Sequence, residues 1–270
     1  MATNTRIILI CSGKGGVGKT TLTANLGIAL AKQGVKTAVL DADFGLRNLD
    51  LLLGLENRII YTAQDVLEES CRLEQALVKH KQVPNLALLP AGNPRMLDWL
   101  KPDDMQRIVS LLSDQFDYVL IDCPAGVEDG FKNAVSASKE AIVVTNPEVS
   151  AVRDADRVIG LLNTRGINPV QLVLNRVRPK MIANQEMLSV EDVTDILALP
   201  LLGIVLEDDE VIISTNRGEP LTLSGSNAPA ARCYSNIARR LGGENIPLID
   251  PSKEGSMRNK FKRLMQTKIF

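Results

Sequence analysis

The chain alternates between short, continuously apolar runs and longer segments in which apolar residues recur every three or four positions. The runs are RIILIC at Arg6–Cys11, TAVLDAD at Thr37–Asp43, LALLPAG at Leu86–Gly92, DYVLIDCPAG at Asp117–Gly126, AIVVTNP at Ala141–Pro147, VQLVLNRV at Val170–Val177 and LLGIVLED at Leu201–Asp208. Apolar runs that do not alternate with polar residues predict strands buried on both faces, the condition of a parallel sheet covered by helices. The crossovers such a sheet requires are predicted between them, at Lys19–Lys32, Asp103–Leu112 and Ala151–Leu162. Gly34 and Gly166 stand where two helices should stop, and SVED at Ser189–Asp192 has the form of a capping box opening another. The pattern predicts a doubly wound, mostly parallel α/β sheet.

Length and composition add few constraints. A chain of 270 residues fits one large α/β domain better than two small ones. That domain is expected over residues 1–246, with a linker at 247–256 where Pro, Gly and Ser cluster, and an amphipathic helix at 257–270. The longest apolar run, Ile196–Leu206, is interrupted by Pro200 and Gly203, and a transmembrane helix needs about 20 apolar residues. Only Met1–Thr5 precede the first run, too little for a signal or transit peptide, so the cytoplasm is the expected location. Cys11, Cys71, Cys123 and Cys233 lie far apart without CxxC spacing, which favours plain buried or semi-buried thiols over a zinc site or a disulfide framework. The single histidine, His80, sits in a polar KHKQ stretch and is expected at the surface; a Ser-His-Asp hydrolase is not indicated.

The chemistry is concentrated after the first strand. GKGGVGKTT, Gly13–Thr21, follows the GxxxxGK[ST] pattern in the strand-loop-helix context that gives the pattern its meaning. Backbone N–H groups of Gly13, Lys14, Gly15, Gly16, Val17, Gly18, Lys19, Thr20 and Thr21 would converge on phosphate oxygens, reinforced by the positive end of the following helix. Lys19 would reach the β and γ phosphates and Thr20 would sit on Mg²⁺. YVLID ends in Asp122, a carboxylate delivered by a buried strand and the candidate partner for that metal; its alternative is a cap for the following turn. DADFGLRNLD brings Asp41 and Asp43 to the same carboxyl edge, where open α/β sheets bind ligands. Asp43 is the better candidate to orient an attacking water and is also placed among the metal contacts. Lys14 has no task in an ordinary P-loop; a solvated surface lysine is its plain alternative.

Charge separates the end of the chain from the rest. From Lys253 to Phe270 six basic residues face one acid, a net +5 in a chain of net −1, so the remainder carries −6. As a helix, Met257, Phe261, Leu264 and Met265 fall on one stripe that ends at Lys268, flanked by Arg258, Lys260, Lys262 and Arg263. That is the pattern of a helix lying in a membrane interface. A helix docked on the body and a basic arm on nucleic acid are the alternatives, the second disfavoured by the acidic body.

KGGVGKTT with its early lysine resembles the deviant Walker A motif of the ParA/MinD family of ATPases. GLRNLDLLLG (Gly45–Gly54), DCPAGVEDG (Asp122–Gly130), TNPEVSAVRDADRVIG (Thr145–Gly160), SVEDVTDIL (Ser189–Leu197) and the basic C-terminus are similar to the division-site branch of that family. The resemblance covers essentially the whole chain. It implies an ATP- and Mg²⁺-dependent homodimer that sits peripherally on the cytoplasmic face of the membrane and positions the division site. It further implies partners in a MinC-like inhibitor and a MinE-like activator. By the same resemblance Lys14 reaches the partner subunit's phosphates, Asp43 and Asp41 belong to one switch and Asp122 opens a second. Asp154 matches a position at the dimer and partner surface. Asn175 matches the adenine contact, with a loop cap as its alternative; Arg-Val-Arg after it favours ATP over GTP. The rivals are a ParA-type DNA partition ATPase and an iron–sulfur redox ATPase, the latter needing a second cysteine near Cys123; no specific nucleic acid is expected.

Overall fold

A computed structural model describes residues 5–44, 47–93 and 100–251. Among these residues one sheet contains β1 Arg6–Cys11, β2 Thr37–Asp41, β3 Val78–Lys79, β4 Leu86–Leu89, β5 Tyr118–Asp122, β6 Glu140–Thr145, β7 Val170–Val177 and β8 Leu201–Leu206. Their order is β3-β4-β2-β5-β1-β6-β7-β8. All pairings are parallel except β3 with β4. Each predicted run supplies one strand. The short β3 has no counterpart in the sequence reading, because two residues carry no periodicity.

β3 also corrects the expectation for His80. Its pairing with β4 continues through the His80 N–H to the Leu86 carbonyl at 2.9 Å, which draws the imidazole inside to 6% exposure. There its Nδ1 accepts the Gln82 N–H at 3.2 Å. Burial, with Arg58, Lys81 and Lys32 nearby, holds the His80 pKa below its usual value.

The winding explains where a site must form. From β1 the chain crosses to β2 on one side, returns through β4 to β5, then passes β1 to lay down β6, β7 and β8 on the other. Right-handed crossovers running in opposite directions put their helices on opposite faces. The helix Lys19–Lys32 accordingly packs against the last helix, Pro229–Leu241, while Pro102–Ser113 packs on Asp129–Ser136 and Val149–Thr164 on Val190–Leu197. Covered on both faces, β2 is buried at every residue. The predicted caps form: Ser189 Oγ accepts the Asp192 N–H at 3.0 Å while Asp192 accepts the Ser189 N–H at 2.9 Å, and Gly34 and Gly166 adopt φ of 88° and 70°.

The two edges of the sheet differ in purpose. At the amino edge the Arg6 guanidinium donates to Glu140 and to the Leu241 carbonyl and lies 5.2 Å from the Tyr118 ring centre. The last helix therefore ends on the edge opposite the glycine-rich loop. Ile249, within the predicted linker, packs against the core. The proposed membrane residues Met257, Phe261, Leu264 and Met265 lie outside the described residues.

Candidate active site

The loop after β1 turns through Gly16 and Gly18, at φ of 77° and 100°, and runs into the helix Lys19–Lys32. No side chain caps that helix and its first turn carries no acid, so its N–H groups and positive end are left to a ligand, the geometry of an anion site. Lys19 is buried at the helix start, with 8% exposure. Gly13 sits so close to the Asp154 backbone that a Cβ there would overlap the Asp154 carbonyl; the phosphate loop thus rests directly on the helix Val149–Thr164. The Asp154 carboxylate remains partly exposed, 3.7 Å from Arg157.

Asn175 ties the other side of the loop. Its amide donates to the Val17 carbonyl at 2.7 Å, a buried bond between β7 and the loop. β7 carries an irregularity between Leu174 and Val177 relative to β8, with Arg176 at φ 55°. Bulges of this kind re-aim side chains near functional sites: Asn175 is buried against the loop and Arg176 is exposed. A cavity of about 110 Å³ adjoins them, lined by Gly18, Asn175, Arg176, Asp208, Val211 and Ile212. The loop-cap role of Asn175 is therefore present, and the residue stands at the wall of a cavity as well.

The carboxylates meet where β1, β2 and β5 end. Asp41 and Asp122 are register partners on adjacent strands, both buried. Burial first, then the charge of Asp122, pushes the Asp41 pKa up to about 8, against N–H bonds from Asp43 at 3.0 Å and Leu49 at 3.3 Å. Burial likewise raises Asp122 to about 6, opposed by hydrogen bonds from Thr20 and Thr23 and by the charge of Lys19. The Thr23 hydroxyl is 3.1 Å from Asp122, a contact not anticipated from the sequence; its signal is the spacing of Lys19 and Thr23 on one helix face. Two crowded buried carboxylates beside a lysine form a site that a divalent cation would relieve. Among the described residues no cluster of three or more His, Cys, Asp or Glu could hold a metal alone, but Mg²⁺ usually takes one or two carboxylates plus phosphate and water. Thr20 and Asp122 fit that donor set. Asp43, partly exposed, follows Asp41 at the same edge.

Lys14 stands apart from this cluster. Its side chain is half-exposed, with Nζ 3.8 Å from Glu148, and Glu148 in turn lines a groove of about 760 Å³ with Pro147, Arg178 and Met181. Cys11 and Cys123 lie in the core beneath the loop; burial pushes the Cys11 thiol up to about 12 and Cys123 well above its usual value. Cys233 is also buried and Cys71 partly so.

A glycine-rich loop opening a buried helix, with a buried carboxylate on the adjoining strand, defines a P-loop nucleoside triphosphatase. The ParA family model, described as NUBPL iron-transfer P-loop NTPase, matches residues 3–242. The septum site-determining protein MinD of Synechocystis sp. is 58% identical over 245 residues, 91% of this chain and 92% of that protein. Among solved structures, the MinC:MinD cell division protein complex of Aquifex aeolicus aligns with a TM-score of 0.85 at 48% identity, over 91% of this chain and 99% of that one. MinD of Pyrococcus horikoshii, complexed with Mg-ADP, aligns with a TM-score of 0.78 at 33% identity, over 88% and 96%. The chain belongs to the ParA family of P-loop ATPases and, within it, to the MinD septum site-determining proteins.

Proposed function

We propose that this ATPase dimerises around Mg²⁺-ATP, that the dimer binds the cytoplasmic face of a membrane through residues 257–270, and that it there recruits a division inhibitor resembling MinC. The observation that carries this reading is the placement of Lys14. A half-exposed lysine whose ion pair with Glu148 is a long, exposed contact at 3.8 Å suits a task on a second copy of the chain. Supplied in trans it acts as an arginine finger does, a class of contact worth on the order of 10³ to 10⁵ in rate.

The remaining roles follow from position. Loop N–H groups and Lys19 hold the phosphates, and the cavity beside Asn175 takes the base. Mg²⁺, held by Thr20 and Asp122, supplies neutralising charge to the phosphate oxygens. Asp43 orients the attacking water, and Asp41 fixes Asp43 by accepting its N–H. The outer face of Val149–Thr164, with Asp154, is the surface for a MinE-like activator; the Asp154 backbone of the same helix packs against Gly13 of the phosphate loop.

Energetics explain why dimerisation governs the membrane. Each cation near an anionic surface contributes about 1 kcal/mol, and each large apolar side chain about 1.5 to 3 kcal/mol if fully buried, less the cost of ordering the helix. One tail is a marginal anchor; two on one dimer gain roughly 10² to 10⁴ in avidity. The MinC:MinD complex of Aquifex aeolicus supports the inhibitor as partner. Co-sedimentation with anionic vesicles and with DNA, each in ATP and ADP, tests the reading: pelleting with vesicles in ATP is expected, and ATP-dependent pelleting with DNA alone would replace it by the partition-ATPase reading.

A further inference from the structure

The helix Asp209–Asn216 forms an outer wall of a cavity, touching the core through Val211. None of its residues is buried, and Ile212, which lines the cavity beside Asn175, is 61% exposed. Its start is held by Asp208, whose carboxylate accepts the Glu210 N–H at 3.2 Å. Its far end closes a turn through the Gly218 N–H to the Thr215 carbonyl at 3.0 Å. There Gly218, at φ 63°, lies backbone to backbone on Gly54, at φ 62°. A Cβ on Gly54 would stand 2.7 Å from the Gly218 carbonyl oxygen; one on Gly218 would stand 2.9 Å from the Leu51 carbonyl oxygen and 3.0 Å from the Gly54 Cα. Neither position accepts a side chain without parting the two segments.

Gly54 ends a stretch that starts at the reacting edge of the sheet. Asp41 accepts the N–H groups of both Asp43 and Leu49, which opens the helix Leu49–Leu52. The Gly54 N–H then bonds the Leu51 carbonyl at 3.1 Å and the Leu55 N–H bonds the Asp50 carbonyl at 2.9 Å. The Asp41 carboxylate therefore joins Asp43 to Leu49, backbone bonds carry on from Asp50 and Leu51 to Gly54 and Leu55, and one glycine contact joins Gly54 to the helix that walls the cavity.

We propose that Gly54 and Gly218 are positioning residues: a purine base seated on Val211 and Ile212 fixes the helix Asp209–Asn216, and the glycine contact transmits this to the segment that carries Asp43. The inference rests on the reading of that cavity as the base site. It gives the base a part in hydrolysis, so that phosphates alone would leave the water-orienting carboxylate less well placed.

Hydrogen exchange by mass spectrometry tests this on the wild-type chain with Mg²⁺, comparing no ligand, pyrophosphate and ADP. ADP, and not pyrophosphate, is expected to slow exchange over 209–218, and to slow it over 49–55 at least roughly threefold more than pyrophosphate does. In Gly218→Ala the ADP protection over 209–216 should persist, the extra protection over 49–55 should vanish, and kcat should fall roughly fivefold or more with KM changed less than about threefold. Protection of 209–218 without extra protection of 49–55 would overturn the coupling and leave the base site standing. Absence of ADP protection over 209–218 would overturn the base site and the coupling with it. Wild-type kcat in Gly218→Ala would also overturn the coupling. Should that variant not fold, the wild-type comparison decides alone.

Discussion

Removing the Asn175 amide should loosen the phosphate loop before any nucleotide arrives. In Asn175→Ala the buried Val17 carbonyl loses its donor at 2.7 Å. Leaving a buried backbone acceptor unpaired costs about 1–3 kcal/mol. For a chain of this size each kcal/mol lowers Tm by roughly 2–4 °C, so the nucleotide-free variant should melt roughly 2–12 °C lower. If binding must re-form the loop, the same free energy is drawn from affinity, about 5- to 150-fold at 1.4 kcal/mol per decade. Titration calorimetry with Mg-ADP and with Mg-pyrophosphate separates the two roles of the residue. A pin on the loop weakens both ligands, whereas a base contact alone weakens only ADP. Asn175→Asp, which sets a carboxylate against a carbonyl, should lose more than the alanine variant. Unchanged melting together with wild-type pyrophosphate affinity in Asn175→Ala would refute the pinning argument.

Other outcomes follow from the same site. Lys14→Ala should keep the fold and bind nucleotide yet lose stimulated hydrolysis, roughly 10³-fold or more if the lysine acts in trans; an unchanged stimulated rate contradicts that role. Phe261→Glu should leave basal ATPase and dimerisation near wild type while releasing the protein from anionic vesicles, and persistent pelleting would mean the tail is not the anchor. The raised Asp41 and Asp122 pKa values, about 8 and about 6, mean the native state keeps protons that the unfolded chain releases. Their stabilising effect is complete below the ordinary carboxylate range and is lost as pH rises through about 6 and then about 8. Tm of the nucleotide-free protein should therefore fall between about pH 5 and 8, and less steeply in Asp41→Asn; equal slopes would contradict the assignment.

How much of this was legible in the sequence depended on whether backbone or tertiary packing did the work. The parallel strands announced themselves because burial on both faces removes polar alternation, and the phosphate loop because close backbone approach and positive φ demand glycine at fixed spacing. Asp41, Asp43 and Asp122 were visible as carboxylates ending apolar runs. His80 was misread because local polarity says nothing of a two-residue strand that folds the ring inward. Thr23, Glu148 and the Gly54–Gly218 contact are products of distant segments meeting, and Asn175 carries a loop bond that a base-contact reading alone does not supply.

ATP, and not ADP, should join two copies of this chain. Light scattering on a size-exclusion column, with Asp43→Ala used to block hydrolysis, measures it directly. A dimer is expected in Mg-ATP, a monomer in Mg-ADP, and a monomer in both when Lys14→Ala is added. The same mass in ATP and ADP for the Asp43→Ala protein, with nucleotide shown to be bound, would contradict it.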